Sequence, residues 1–191
     1  MLNEALRKVV TALDRLEVPH ALIGGLAVAA RGAVRATQDV DLIVALPVQD
    51  APSLERSMRD NGFQATFYRG AADDPIAGVL RLAIPVAGTE IKCDVLFASR
   101  EWQTRAVRNA TSIDLGSFVV RVAQPADLFL LKLYAGGPQD LIDAAQLLKL
   151  QSPAERTRWK ATAGKLRLTA EYNRCLKFFK PSEEFPSRTR S

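Results

Sequence analysis

The motif Asp39-Val40-Asp41 holds the side chains of this chain that are best suited to chemistry. In a β-strand, residues two apart point to the same side, so the two carboxylates would project together. Two negative charges so close repel each other and raise a pKa, and a bound divalent cation would remove that penalty. Hard carboxylate oxygens favour magnesium or manganese over zinc. The motif therefore predicts a metal site.

A third acid, Asp94, lies in a strand-like run at positions 91–96 in which polar and apolar residues alternate. An acid in an otherwise apolar strand is costly unless something pairs with it. Asp94 is therefore either a further metal ligand or the partner of a nearby arginine.

Two adjacent glycines, Gly24 and Gly25, follow a short apolar run and precede a helical pattern. At such a turn, backbone N–H groups can approach phosphates without a Cβ in the way.

The elements that must position these residues follow from hydrophobic periodicity and from Gly and Pro breaks. Strands are predicted at 21–23, 38–46, 63–68, 79–84, 90–97, 112–115 and 118–122. Helices are predicted at 2–16, 26–31, 53–61, 99–109, 125–135, 139–150, 153–164 and 168–179. The fold class is thus α/β (α+β): a mixed sheet flanked by helices at 1–122 and a helical lobe at 123–180, with 181–191 as a disordered basic tail.

Charge and composition narrow the function classes. The chain of 191 residues carries +5, and its last 41 residues hold ten Lys or Arg against four Glu, so that segment carries +6 and the rest −1. This basic end suggests either a nucleic-acid partner or a solvated helical surface. Two cysteines, Cys93 and Cys175, form no disulfide or zinc pattern. With no membrane-length apolar run and no signal peptide, we expect a soluble cytoplasmic protein.

Three motifs together resemble the signature of the DNA polymerase beta nucleotidyltransferase superfamily. They are the Ile23-Gly24-Gly25 turn, the run Arg35-Ala36-Thr37-Gln38-Asp39-Val40-Asp41, and the later single Asp94. The Arg-x-Thr-x-Asp-x-Asp form is most similar to the AbiEii/MenT-type nucleotidyltransferase toxins of toxin–antitoxin systems.

A second stretch is similar to the same toxins. Pro125–Ala135 followed by Asp140 and Asp143 resembles their Leu-x-Lys-Leu-x-Ala … Arg-Asp-x-x-Asp segment. The match departs at 136–139, where Gly-Gly-Pro-Gln stands in place of an Arg-rich turn. That departure weakens any role for Asp140.

The resemblance implies a polymerase-beta-like sheet and a two-metal transfer of a nucleoside monophosphate from a nucleoside triphosphate to an acceptor hydroxyl. It implies that Asp39, Asp41 and Asp94 are catalytic and hold magnesium or manganese. The other residues that it implicates, in catalysis or in nucleotide binding, are Lys132, Gly24, Gly25, Arg35, Thr37 and Asp143.

Several of these roles have alternatives. Lys132 either reaches a triphosphate oxygen or extends its stem to solvent. Arg35 and Thr37 either touch the nucleotide or tie their loop down. Asp143 either orients Lys132 or faces solvent.

The most similar family implies that the acceptor is the 3′ end of tRNA and that the protein is a toxin, for which a cognate antitoxin would be the natural partner. One alternative is nucleotidylation of a protein or of a small molecule such as an antibiotic. A cationic antibiotic needs an acidic cleft, and Asp73 and Asp74 are the only other local acidic cluster. A further alternative is a non-catalytic nucleotide-binding or antitoxin-like interaction module.

Overall fold

The structure, a computed structural model, describes residues 1–71 and 76–179. Its helices are α1 (Leu2–Arg15), α2 (Gly24–Ala30), α3 (Ala51–Asp60), α4 (Glu101–Arg108), α5 (Pro125–Ala135), α6 (Pro138–Lys149), α7 (Pro153–Lys165) and α8 (Thr169–Leu176). Its strands are β1 (His20–Ile23), β2 (Val40–Val44), β3 (Gln64–Arg69), β4 (Gly78–Val86), β5 (Thr89–Phe97), β6 (Thr111–Asp114) and β7 (Val119–Val122). Asp73, Asp74 and the tail predicted at 181–191 lie outside the described residues.

All these strands join in one mixed sheet with the order β3-β4-β5-β2-β1-β7-β6. The pairs β2/β5 and β1/β7 are parallel, and the other neighbours are antiparallel. Strand β2 lies in the middle, as its apolar residues on both faces predict. The mixed α/β fold predicted from the sequence is confirmed.

One face of the sheet is covered by α1 and α3. The apolar stripe of α1, with Leu6, Val9 and Leu13 fully buried, packs against β2, β4 and β5, and α3 packs against β3. Strand β4 alternates strictly between this buried face and the opposite, more open one. The open face of β3, β4 and β5 presents several polar side chains, among them Thr66, Arg81 and Lys92.

The helices after β7, predicted as a separate lobe, pack against the same core. Helix α5 contacts α2 and α4, α6 contacts α2, and Phe129 of α5 packs on Trp159 of α7 with ring centroids 5.0 Å apart. Gly136, in the left-handed region with φ 66°, ends α5, and Pro138 begins α6. This tight turn folds α6 back along α5.

Most predicted boundaries hold to within one or two residues, with two differences near the motifs. Strand β2 begins at Val40 instead of residue 38, so Asp39 precedes the strand, on a bend that pairs with no neighbouring strand. Helix α2 begins at Gly24, two residues earlier than predicted, because glycine accommodates the φ of 67° at which the chain turns from β1. Among the described residues, no helix is both long and apolar enough to cross a membrane.

Candidate active site

The strand register brings the three aspartates to one place. Strands β2 and β5 are parallel neighbours, and Asp41 pairs directly with Asp94, on strands about 4.8 Å apart. Asp39 lies two residues before Asp41, and all three side chains line a single open groove of about 500 Å³. The family resemblance implied this convergence, which the 53 residues between Asp41 and Asp94 do not reveal by themselves.

The surroundings of Asp41 and Asp94 oppose the ionisation of these two acids. Burial raises the pKa of Asp41, and the charges of Asp94 and Asp39 raise it further, against the opposing effects of Lys132 and of the Gly25 backbone N–H. Burial likewise raises the pKa of Asp94. The site therefore holds negative charges that repel each other.

An arginine partly compensates Asp94. The Arg81 guanidinium lies with Nε 3.5 Å from Asp94 Oδ1, which is the salt bridge considered as an alternative to a metal ligand. The side chains of Arg81 and Asp94 are 63% and 39% exposed, so the pair contributes at most about 1 kcal/mol. Asp94 can therefore exchange this partner for another cation.

The donor set fits magnesium or manganese. Across residues 1–71 and 76–179, no three His, Cys, Asp or Glu side chains stand in the arrangement of a preformed metal site. Three carboxylates nevertheless line one groove, and burial together with the charges of Asp94 and Asp39 raises the pKa of Asp41. A hard divalent cation relieves this repulsion.

The glycine turn is shaped around Asp41. A Cβ on Gly24 would lie 1.9 Å from Asp41 Oδ2, and a Cβ on Gly25 would lie 3.0 Å from Thr37 Cβ. The Gly25 N–H donates a hydrogen bond to Asp41. Only glycine at position 24 therefore lets the turn approach this carboxylate so closely.

Lys132 is held inside the molecule. Its side chain is 12% exposed, and its Nζ lies 2.8 Å from Asp140 Oδ1 and 2.9 Å from Asp143 Oδ2. The idea that its stem extends to solvent is wrong, because these two carboxylates retain the ammonium. Burial lowers the pKa of Lys132, but the hydrogen bonds and charges of Asp140 and Asp143 outweigh it, so the pKa is raised and the ammonium stays charged.

Asp143 links this lysine to the loop before β2. The carboxylate is fully buried, which excludes the solvent-facing alternative, and its Oδ1 lies 3.2 Å from Arg35 Nε. The Thr37 hydroxyl donates to the Asp39 carbonyl at 3.4 Å. Arg35 and Thr37 therefore tie their loop down in this structure, as one of the two predicted alternatives has it.

Two residues of the site were undervalued or missed in the sequence. Asp140, whose role the sequence comparison weakened, contacts Lys132 because the α5–α6 turn returns it to that helix. Arg81 was not identified, although a charged residue between two buried leucines in an extended run was the available signal.

Two cavities meet at Asp41. On one side lies a largely apolar pocket of about 200 Å³, lined by β2, β5 and α5 and including Gly24, Lys132 and Tyr134. On the other side lies the 500 Å³ groove, which continues over β3, β4 and β5. Asp41 lines both, so a group bound in the pocket and a group bound in the groove would meet at this carboxylate.

Several cations of the basic C-terminal segment have structural partners. Arg156 donates to the carbonyls of Leu148 and Lys149 at 3.1 and 3.0 Å and so satisfies the end of α6. Arg174 donates to the Gly136 carbonyl at 3.1 Å. The net charge of this segment thus overstates the number of cations that are available to bind a partner.

Comparisons with known proteins define the class of fold. No protein-family model matches the chain, and no curated protein is similar to it in sequence. An antigenic nucleotidyltransferase-like protein from Paracoccidioides brasiliensis is similar in structure, with a TM-score of 0.53 and 17% identity over 95% of this chain and 96% of that one. The antibiotic-resistance factor ANT(2″)-Ia is similar with a TM-score of 0.55 and 14% identity, over 90% of this chain and 95% of that one.

The chain therefore has a nucleotidyltransferase-like fold, as the resemblance implied. Neither of these neighbours is a toxin of the AbiEii/MenT type.

Proposed function

We propose that this protein is a metal-dependent nucleotidyltransferase that transfers a nucleoside monophosphate from a nucleoside triphosphate to an acceptor hydroxyl. The observation that carries the proposal is Asp41, paired with Asp94 and standing between a pocket that contains Lys132 and an open polar groove. One cavity suits the triphosphate and the other the acceptor.

The residues have distinct tasks in this reaction. Asp39, Asp41 and Asp94 would hold the divalent cations, which would neutralise phosphate charge and lower the pKa of the attacking hydroxyl. Lys132, whose ammonium lines the pocket, contacts the triphosphate. The phosphates would lie in the pocket beside the Gly24-Gly25 turn, which Gly24 lines together with Asp41 and Lys132. Arg35 and Asp143 position this machinery, because their ion pair ties the loop before β2 to the helix pair that holds Lys132. Thr37 holds the same loop through its hydrogen bond to the Asp39 carbonyl.

The chemistry balances as a simple displacement. The acceptor oxygen forms a bond to the α-phosphorus, the bond from that phosphorus to the bridging oxygen of the β-phosphate breaks, and pyrophosphate leaves. The hydroxyl proton passes to solvent. An enzyme accelerates such a reaction mainly by positioning the reactants and neutralising charge, and no side chain needs to form a covalent intermediate.

For the acceptor, we propose the 3′ end of tRNA, with the protein acting in the cytoplasm as a toxin of a toxin–antitoxin system. The support is the Arg35-x-Thr37-x-Asp39-x-Asp41 motif and the segment around Lys132, which resemble those toxins. A cognate antitoxin would then be the protein's partner.

A second candidate acceptor is an antibiotic hydroxyl. The likeness in fold to the antibiotic-resistance factor ANT(2″)-Ia favours it. Against it stands the part of the groove beyond the aspartates, where Arg81 and Lys92 would repel the charges of a polycationic drug.

The test is to incubate the pure protein with magnesium, each α-labelled nucleoside triphosphate in turn, and either total tRNA or an aminoglycoside. We expect label on tRNA with the wild type and none with Asp41→Asn, while the exposed Asp60→Asn serves as the matched control and stays active. Label on the aminoglycoside alone would favour the second acceptor. If no acceptor is labelled and magnesium with triphosphate does not raise Tm, the protein is a non-catalytic module.

A further inference from the structure

The groove next to the aspartates extends across three strands in a regular row. Thr66 on β3 pairs with Arg81 on β4, Arg81 pairs with Asp94 on β5, and Asp94 pairs with Asp41 on β2. Side chains at paired positions of neighbouring strands point to the same face of a sheet. The groove therefore leads from the candidate metal ligands outwards to the edge strand β3.

This outer part of the groove carries an exposed aromatic ring and cations. Tyr68 on β3 is 52% exposed, and the Arg81 guanidinium lies 5.1 Å from the centre of its ring. Lys92 is exposed on the same face of β5 as Asp94, and Gln64 and Thr66 add polar groups from β3. The surface thus combines a stacking platform with two positive charges.

The charge of this surface indicates the class of its occupant. Once cations neutralise the three aspartates, Arg81 and Lys92 give the groove a positive balance. An aromatic side chain with Arg and Lys around it is the combination that binds unpaired bases by stacking and the phosphates between them by charge. A polycationic small molecule would meet charges of its own sign.

We propose that the exposed face of β3, β4 and β5 binds the acceptor, and that the acceptor is the single-stranded 3′ end of a nucleic acid, with a base stacked on Tyr68 and phosphates beside Arg81 and Lys92. This inference rests on the proposed function, since it supplies the acceptor for that reaction. The terminal hydroxyl would lie at the Asp94 end of the groove, and the preceding nucleotides would run toward β3. Arg81, released from Asp94 when a metal ion binds there, becomes available to a phosphate.

Binding is measured with the full chain and a 5′-fluorescein-labelled single-stranded RNA of about twelve nucleotides in magnesium, by fluorescence anisotropy. We expect Tyr68→Ala to weaken binding about tenfold, because one stacked base is lost, and Tyr68→Phe to retain the affinity. Lys92→Ala should weaken binding less and reduce the slope of log affinity against log salt by about one. The matched control Lys165→Ala, an exposed lysine on α7, should bind as the wild type does.

The rise in Tm with magnesium and triphosphate is measured for the same variants, because it reports on triphosphate binding separately from RNA binding. If the wild type transfers label and Tyr68→Ala and Lys92→Ala bind RNA normally, this inference is overturned while the proposed function stands. A loss confined to Lys165→Ala would likewise overturn it and assign RNA binding to the helical lobe. Label on an aminoglycoside with none on RNA would overturn the nucleic-acid assignment. If RNA binding depends on Tyr68 but no triphosphate binds and no label is transferred, the proposed function fails and the acceptor role with it.

Discussion

Replacement of the buried Asp143 carboxylate should strongly destabilise the fold, because this group connects helices α5 and α6 to the loop before β2. Its oxygens lie 2.9 Å from Lys132 Nζ and 3.2 Å from Arg35 Nε, and Gln139 donates to it at 3.1 Å. The isosteric change Asp143→Asn removes the charge and leaves the volume. Two cations then lose their shared partner in a place that water hardly reaches.

The loss in the free energy of unfolding follows from the burial of these groups. Asp143 is fully buried, and the Lys132 and Arg35 side chains are 12% and 25% exposed. Removing one partner of a buried ion pair costs about 3–5 kcal/mol. Lys132 retains Asp140 at 2.8 Å, so the lower end applies, about 3 kcal/mol. For a chain of this length that loss lowers Tm by about 6–12 °C.

The assay is reversible denaturant and thermal unfolding of Asp143→Asn without added metal. The control is Glu101→Gln, which removes an ion pair with Arg108 of similar length, 2.8 Å, between side chains 78% and 60% exposed. That control should shift Tm by less than about 3 °C, because surface pairs contribute little. A Tm of Asp143→Asn as close to wild type as that of the control would refute the reasoning.

Other changes test the site more directly. The pKa of Asp41 is raised, chiefly by burial, so the folded wild type becomes less stable as pH rises and this carboxyl ionises. Metal-free Asp41→Asn, which stays neutral, should therefore have a higher Tm than the wild type at pH 7.5. Below about pH 4 the two Tm values should be equal. A lower Tm at pH 7.5 would contradict this. Gly24→Ala should lower Tm more than Gly88→Ala, because both glycines have positive φ but only the Cβ at position 24 would meet other atoms. Gly24→Ala should also abolish stabilisation by magnesium and triphosphate. Equal losses of Tm in the two variants would show that backbone strain alone is responsible and that the contact with Asp41 is not. Burial raises the pKa of Cys93 and of Cys175, that of Cys175 to about 12. At pH 8 both thiols should therefore react with a thiol reagent only in denaturant. Rapid labelling of the native protein would contradict this, because it would show that the thiols are accessible.

Local patterns in the sequence determined much of this protein. Helical periodicity with Gly and Pro breaks located the strands and helices of the described chain, usually to within two residues. The alternation around Asp94 and the spacing of Asp39 and Asp41 singled out the three carboxylates that line one groove, although Asp39 precedes the strand to which it was assigned. These features depend only on residues a few positions apart along the chain, so they can be predicted from the sequence alone.

Tertiary structure decided the rest. The pairing of Asp41 with Asp94 depends on how two strands separated by an α-helix and a β-hairpin align, and only the packed sheet sets that register. The contact of Asp140 with Lys132 depends on the angle of the α5–α6 turn, and the burial of Lys132 depends on both helices. The position of Arg81 between Tyr68 and Asp94 depends on three strands together. Long-range register and helix packing follow from how the whole core fills its volume, which no local pattern of residues encodes.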